Sequence, residues 1–301
     1  MVKSIVKKTI IRKTVKTRFK SCGIFGRDDE DLSYIIGGII SFLKNRKVKI
    51  MVEENFSKKF NTGFEFSIPE IVSNAEFVLS LGGDGTMLRV ASLFIGKSTP
   101  IVGINVGSVG FLTCGNQRST QEILENILTG NFSIQRKRAL KIINKNDNET
   151  FFSINDAVFL REPSSKMPTF RIDILNENSN YETVGSYRSD GLIISTPLGS
   201  TAYSLACNGP IVMPGTDAII LNLIAPYSLS FRPIIVPGSV KVHISIITDG
   251  ALNTYFDGVK KTTLSSNTKF DVALSDKFVN TVKTEGSEGF FSILRKKLGW
   301  K

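Results

Sequence analysis

Three short apolar runs, VKIMV (48–52), FVLSL (77–81) and PIVGINV (100–106), are each too brief for a helix and are bounded by polar or glycine-rich sequence. Runs of this length and β-branched content read as strands buried on both faces, the condition of a parallel sheet covered by helices. CGIFG (22–26) adds a further short strand that ends in a glycine turn. Between the strands the spacing turns helical: Leu32, Ile35, Ile36, Ile39, Ile40 and Leu43 recur along residues 31–45, and another helix is expected from about Thr86 to Ile95. Gly37 and Gly38 inside the first helix cost about 1 kcal/mol each against alanine. Strand and helix in alternation predict an α/β, Rossmann-like domain with a parallel sheet over residues 21–130. Ser119 and Glu122 predict a capping box for a helix ending near Thr129.

From about residue 132 the pattern changes to alternating runs, FSIQRKRALKII, FFSINDAVFLRE, TFRIDILN, GLIIS and VKVHISI, broken by Gly, Pro and Asn. A second, β-rich domain over residues 131–280 is expected, and 301 residues leave room for two domains of about 150 each. The end, SEGFFSILRKKLGW, is helical in spacing, so residues 281–301 form a C-terminal segment expected to return to the first domain. Residues 1–20 stand apart as a basic arm. They contribute eight of the net eleven positive charges and contain no acid. A charge block of that kind reads as a solvated tail, with nucleic acid or a membrane surface as lesser alternatives. A transit peptide would want more serine and a small-residue cleavage pattern.

No apolar run approaches the roughly 18 residues of a membrane span. Cys22, Cys114 and Cys207 are scattered, which suits a reducing compartment and implies neither a disulfide framework nor a zinc site. His243 lies in an alternating strand pattern and is assigned no chemistry.

The stretch LSLGGDGTML (79–88) sets three glycines and a carboxylate directly after a buried strand. Glycines there let backbone N–H groups approach a phosphate, and the helix that follows adds its positive end. A carboxylate in such a loop repels phosphate. Asp84 is therefore expected to serve another group, a sugar hydroxyl or a metal ion bridging phosphates, unless the loop is only a structural turn.

GGDGT (82–86), the pair Asn155–Asp156 and the block RSDGLIISTPLGSTAYSLACNGPIVMP (188–214) together resemble the bacterial NAD kinases. GGDGT alone is shared with lipid kinases such as those acting on diacylglycerol. The third block separates the families. The resemblance runs from about residue 21 to the LGW at 298–300, and implies phosphorylation of the 2′-hydroxyl of the adenosine ribose of NAD by ATP with Mg²⁺ or another divalent cation. It implies a cytoplasmic homodimer or homotetramer with NAD and ATP as its partners, and neither nucleic acid nor membrane. A lipid kinase and a non-catalytic dinucleotide sensor on the same fold are the alternatives.

Carried over by position, the resemblance makes Asp84 the proton acceptor facing the 2′-hydroxyl, with Gly85 beside it and Arg89 near phosphate. A free aspartate is too weak a base to deprotonate an alcohol in the ground state, so its work comes late in a loose transition state where positioning and charge neutralisation dominate. Asn155 would pair with the adenine edge and Asp156 with ribose hydroxyls. Lys166 stands where the family tends to carry a basic residue. Asp190, with Arg188, would lie near the nicotinamide end. Thr201, Ala202, Tyr203, Ser204, Leu205 and Ala206 would form a helix start against a nucleoside, with Ala225 lining the same pocket. No residue is assigned to the metal. Three positions depart from the usual motifs: Leu198 replaces a hydroxyl residue, Asn208 a glycine, and Val259 the glutamine that commonly follows Asp-Gly.

Overall fold

The computed structural model describes residues 10–11, 19–27, 32–107, 110–175, 180–264 and 267–300. They fall into two units, residues 1–136 with 279–301, and residues 137–278.

The first unit is built on parallel strands: β2 (Ser21–Gly26), β3 (Lys49–Glu53), β4 (Glu65–Phe66), β5 (Phe77–Leu81) and β6 (Pro100–Asn105), after a short β1 (Ile10–Ile11). Their pairing gives the order β4–β3–β2–β5–β6. The chain thus builds outward from β2 to β4, then returns to the other side of β2 with β5. Outside the carboxyl ends of β2 and β5 lies the crevice that such a reversal creates, the usual ligand position in open α/β sheets. Every residue of β2, β5 and β6 is buried, as the continuous apolar runs require. Helices α1 (Ser33–Asn45), α2 (Glu54–Phe60), α3 (Ile68–Asn74), α4 (Asp84–Leu93) and α5 (Thr120–Thr129) belong to the same unit. Ile36, Ile39 and Leu43 of α1 and Ile123, Leu124 and Ile127 of α5 share a core with Ile24, Leu79 and Val102.

Two short helices, α2 and α3, escape the periodicity reading. The second is announced by local chemistry: Ser67 Oγ meets Glu70 Oε2 at 2.6 Å while Ser67 N–H donates to the same carboxylate, with Pro69 in the first turn. The box expected at Ser119 does not form. Its hydroxyl donates to the Asn116 carbonyl and accepts from Asn116 N–H, because a 3₁₀ turn at Gln117–Ser119 precedes α5 and claims it.

Most of the basic arm lies outside the described residues. Ile10 and Ile11 pair with Gln135 and Ile134 of β8 (Ser133–Asn144). Phe19, although within the charge run, belongs to the α/β core: its ring lies 5.1 Å from Phe77 and 6.0 Å from Phe132. Removing residues 1–20 deletes a partly buried ring that removal of 1–18 spares, and is therefore expected to give a thermal midpoint several degrees lower than the shorter truncation. Equal midpoints for the two truncations in scanning fluorimetry would show that Phe19 contributes nothing.

The second unit is antiparallel. Its strands are the rest of β8, β9 (Thr150–Ser153), β10 (Asp156–Arg161), β11 (Thr169–Leu175), β12 (Tyr181–Ser195), β13 (Ala218–Pro226), β14 (Ile234–Pro237), β15 (Lys241–Ile247), β16 (Leu252–Phe256), β17 (Val259–Leu264) and most of β18 (Thr268–Lys283), β7 (Gly115–Asn116) belonging to the first unit. One sheet runs β17–β16–β10–β12–β13–β14. The other runs β12–β11–β15–β18–β8–β9. Strand β12 serves both, its first half pairing with β11 and its second with β10 and β13. Between the sheets, Phe159, Phe170, Leu192, Leu221, Ile244, Phe256 and Phe270 form one core. The run expected as FFSINDAVFLRE is two strands, β9 and β10, parted at Ile154 and Asn155.

The end of β18 returns to the first unit, where Asn280 and Thr281 pair in parallel with Pro100 and Ile101 of β6. Helix α7 (Phe290–Leu298) follows, with Ile293 and Leu294 buried.

Candidate functional site

The GGDGT loop sits at the reversal point of the parallel sheet. Gly82 has φ +156°, and a Cβ there would collide with Thr86, so glycine is required to turn from β5 into α4. Gly83 is the N-cap of α4 and has no side chain to satisfy its first-turn N–H groups, which leaves them for an anion. Cβ atoms at Gly83 or Gly85 would meet open space. The loop therefore has room for a phosphate at its backbone.

Asp84 is held by three donors. Its Oδ2 accepts from Phe111 N–H and from the Lys297 ammonium, both at 3.0 Å, and its Oδ1 accepts from Leu112 N–H at 3.0 Å. The approach is close, since a Cβ at Gly110 would collide with the carboxylate. Gly110→Ala is expected to displace Asp84 and cut kcat at least tenfold with the fold retained. Wild-type kcat in that variant would mean that Asp84 needs no such fixing. Lys283 lies nearby, its ammonium donating to the Thr113 carbonyl at 2.7 Å. Burial pushes its pKa down, against the pull of neighbouring negative charge that includes Asp84. Arg89 is exposed and donates to the Gly26 carbonyl at 2.9 Å, across the reversal point at the end of β2.

The remaining candidates lie in the second unit. Asn155 lies in the break between β9 and β10, Asp156 opens β10, and the Asp257 carboxylate builds that break. Asp257 accepts from Ser153 Oγ (2.7 Å) and from the N–H groups of Ile154 (2.7 Å), Asn155 (2.6 Å) and Asp156 (3.3 Å). It can do so because Asp257 and Gly258 take φ +50° and +77° in the tight hairpin from β16 to β17. Asn155 is 9% exposed, and its Oδ1 is buried with no partner among the described residues. An unpaired buried acceptor is costly unless a ligand completes it. Asp156 is 4% exposed. Burial first, and the Asp257 charge second, push its pKa up to about 7.

Thr201 to Ala206 form less than the expected helix. A 3₁₀ turn (Gly199–Thr201) and a single helical turn, α6 (Tyr203–Ala206), are broken at Ala202. Gly209 N–H closes back on the Ser204 carbonyl at 2.8 Å and Asn222 Nδ2 donates to the same oxygen, which ends the helix. Tyr203 remains 40% exposed, and its phenol is pushed up first by burial and then by the charges of Cys207 and Asp156. Ser204 and Leu205 belong to the same turn. Asp190 accepts from Arg161 Nε at 2.5 Å, while Arg161 also donates to the carbonyls of Pro163 and Ser165. The Arg188 guanidinium stacks 5.5 Å from the centre of the Tyr227 ring. Ala225 holds a left-handed φ of +45° in β13, beside the segment of β12 that carries Asp190. Lys166 is apart from these, exposed and facing the exposed Asp249 at 3.6 Å.

The departures are accommodated locally. Asn208 adopts φ +60°, which asparagine tolerates as glycine does, Leu198 is buried, and Val259 is exposed. Among the described residues no group of three or more His, Cys, Asp and Glu side chains could hold a metal ion.

Comparison with known proteins covers both units. The ATP-NAD kinase N-terminal domain matches residues 23–132 and the ATP-NAD kinase C-terminal domain matches residues 154–284. The chain belongs to the ATP-NAD kinase family.

Among family members, the NAD kinase of Wigglesworthia glossinidia brevipalpis is 33% identical over 280 residues, covering 90% of this chain and 91% of that protein. That of Chlorobium phaeobacteroides (strain BS1) is 30% identical over 274 residues, covering 90% and 93%. Yeast NADH kinase complexed with NADH superposes with a TM-score of 0.85 at 22% identity, covering 95% of this chain and 89% of that one. An NAD kinase from Archaeoglobus fulgidus in complex with ATP gives 0.70 at 21%, covering 91% and 98%. The last two show the fold.

Three residues of this ATP-NAD kinase family member stand out only in the structure: Asp257, Arg161 and Lys297. Each acts on a predicted residue from far along the chain, so no local spacing reveals it. Asp257 was visible as part of an Asp-Gly pair; nothing in RKKLGW distinguishes Lys297 from the basic residues beside it.

Proposed function

We infer that this chain is an NAD kinase, moving the γ-phosphoryl group of ATP onto the 2′-hydroxyl of the adenosine ribose of NAD to give NADP. The observation that carries the reading is Asp84: a carboxylate fixed by three donors at the reversal point of a parallel sheet, in a chain whose two units match the two domains of the family. Fixed donors cost no reorganisation during reaction, which suits a step governed by positioning. Asp84 is the acceptor for the 2′-hydroxyl proton. The first-turn amides of α4, with Gly85 and Arg89 beside them, bind phosphate oxygens. A divalent cation supplies charge neutralisation when bound. The described carboxylates form no cage for it, so it would enter chiefly on the phosphates of ATP, as Mg²⁺ commonly does.

Asn155 pairs with the adenine edge through the acceptor left open at Oδ1, and Asp156 and Tyr203 face the nucleoside. Asp190, with Arg188 and Ala225, lines the far end of the dinucleotide, and Thr201, Ala202, Ser204, Leu205 and Ala206 supply the turn behind it. Lys166 is the weakest member of the set, since its ammonium already faces Asp249. Coupled detection of NADP from NAD, ATP and Mg²⁺ tests the reading, and purified protein that makes none would overturn it.

Asn155→Ala leaves the adenine edge unpaired at about 1 to 3 kcal/mol, so NAD is expected to bind roughly ten- to a hundredfold more weakly. Unchanged affinity by calorimetry would return Asn155 to a turn role. A cytoplasmic homodimer or homotetramer belongs to the same proposal. The exposed Tyr227, Leu229 and Ile235 near β14 are apolar surface that such an assembly would cover, and sedimentation checks it.

A further inference from the structure

An ionised carboxylate has about four lone-pair sites on its two oxygens. In Asp84 the described residues fill three: Phe111 N–H and Lys297 Nζ on Oδ2, and Leu112 N–H on Oδ1. Among the described residues one site is left open, and it is on Oδ1. Two of the three donors are backbone amides of the neighbouring loop. The third arrives from 213 residues away, on the last turn of α7.

The placement of Lys297 is built. Ile293 and Leu294 bury one face of α7, at 2% and 1% exposure, and the Phe290 ring lies 5.6 Å from that of Phe111. The Lys297 ammonium is 5.1 Å from the centre of the same Phe111 ring. Phe111 thus meets the helix with its ring while its N–H donates to Asp84. The Lys297 side chain is 34% exposed and that of Asp84 25%. The neighbouring Lys296 turns the other way, to Glu288 at 2.7 Å.

We propose that Lys297 is a positioning residue of the transfer reaction: it occupies the Oδ2 edge of Asp84, locks the plane of the carboxylate, and leaves Oδ1 as the acceptor for the incoming hydroxyl proton. This rests on the NAD kinase reading and adds to it a part for the C-terminal helix. Without Lys297 the carboxylate keeps its two amide bonds but gains a second open edge. It then rotates or takes water there, and fewer bound substrates find it aligned.

The test is kinetic, on the full chain with ATP, Mg²⁺ and NAD. NADP formation by the wild type is measured first; its absence would overturn the kinase reading and not the positioning one alone. Lys297→Met keeps the stem over Phe111 and is expected to lower kcat about tenfold, with KM for NAD within twofold and the thermal midpoint nearly unchanged. Lys297→Arg is expected to recover much of the loss. Lys296→Met, the matched control one residue away, should turn over like wild type. In the Asp84→Asn background, Lys297→Met should add little further loss, because the group it positions is gone. Three results would overturn the proposal: Lys297→Met with wild-type kcat, a fall in kcat that tracks a fall in the thermal midpoint, or a full additional tenfold loss in the double variant. The last would put Lys297 on the substrate phosphates and not on Asp84.

Discussion

Asp84→Asn is expected to lower kcat by about 10²- to 10⁴-fold while the fold and NAD binding survive, the usual cost of losing a general base. The substitution preserves the shape that the Phe111 and Leu112 amides grip, but one of the two positions becomes an NH₂ that repels the donor facing it. Some of the loss is therefore misorientation. Titration with Mg²⁺ separates a proton-accepting Asp84 from a metal-bridging one. A metal-bridging role predicts partial rescue of kcat by excess metal, whereas a proton-accepting role predicts none. Turnover within a few-fold of wild type would leave GGDGT as a turn, in which asparagine serves as well as aspartate.

The second large effect concerns Asp156, whose pKa rises to about 7 in the fold, chiefly through burial and then through Asp257. In the unfolded chain it titrates near the ordinary carboxylate value. Between about pH 4 and 7 the folded state therefore holds more protons than the unfolded state, and stability falls as pH rises across that window. Asp156→Asn removes the titration and keeps the size. The variant is expected to match the wild type near pH 4 and to exceed it by a few kcal/mol, about 4 at most, at pH 8. NAD binding by the same variant should weaken, since the ribose hydroxyls lose a carboxylate acceptor. Urea unfolding at a series of pH values reads the difference directly. A stability difference that stays flat from pH 4 to 8 would show that Asp156 does not titrate in that range.

What could be read in the chain, and what could not, follows the distance over which each feature is specified. FVLSL is β5 residue for residue, because a strand buried on both faces needs nothing but its own apolar side chains. The glycine loop was equally local. The helix at Ser67 was legible from its Ser-x-x-Glu pair but short enough to be passed over by periodicity. FFSINDAVFLRE misled because each half is a good strand, and the break between them is imposed by a carboxylate about a hundred residues on. Strand β12 likewise extends well upstream of the GLIIS run expected from the sequence, because its first half belongs to the other sheet. The nucleotide motifs were recognisable as sequence, while the groups that hold them, Asp257 for Asn155 and Lys297 for Asp84, are properties of the folded chain alone.

The first unit is assembled from both ends of the described chain, with the second inserted between its parts. During synthesis the order of completion is thereby reversed: the inserted β-rich unit has all of its residues before the unit that began first has its edge strand and last helix. A ribosome that has delivered residue 278 has supplied Asp84, Phe111 and Leu112, but neither Asn280 and Thr281 for β6 nor Lys297 for the carboxylate. An unfinished chain can thus carry the whole second unit while Asp84 still lacks its third donor. The set of donors around Asp84 is complete only with the closing residues of α7, well after the GGDGT loop itself has been made.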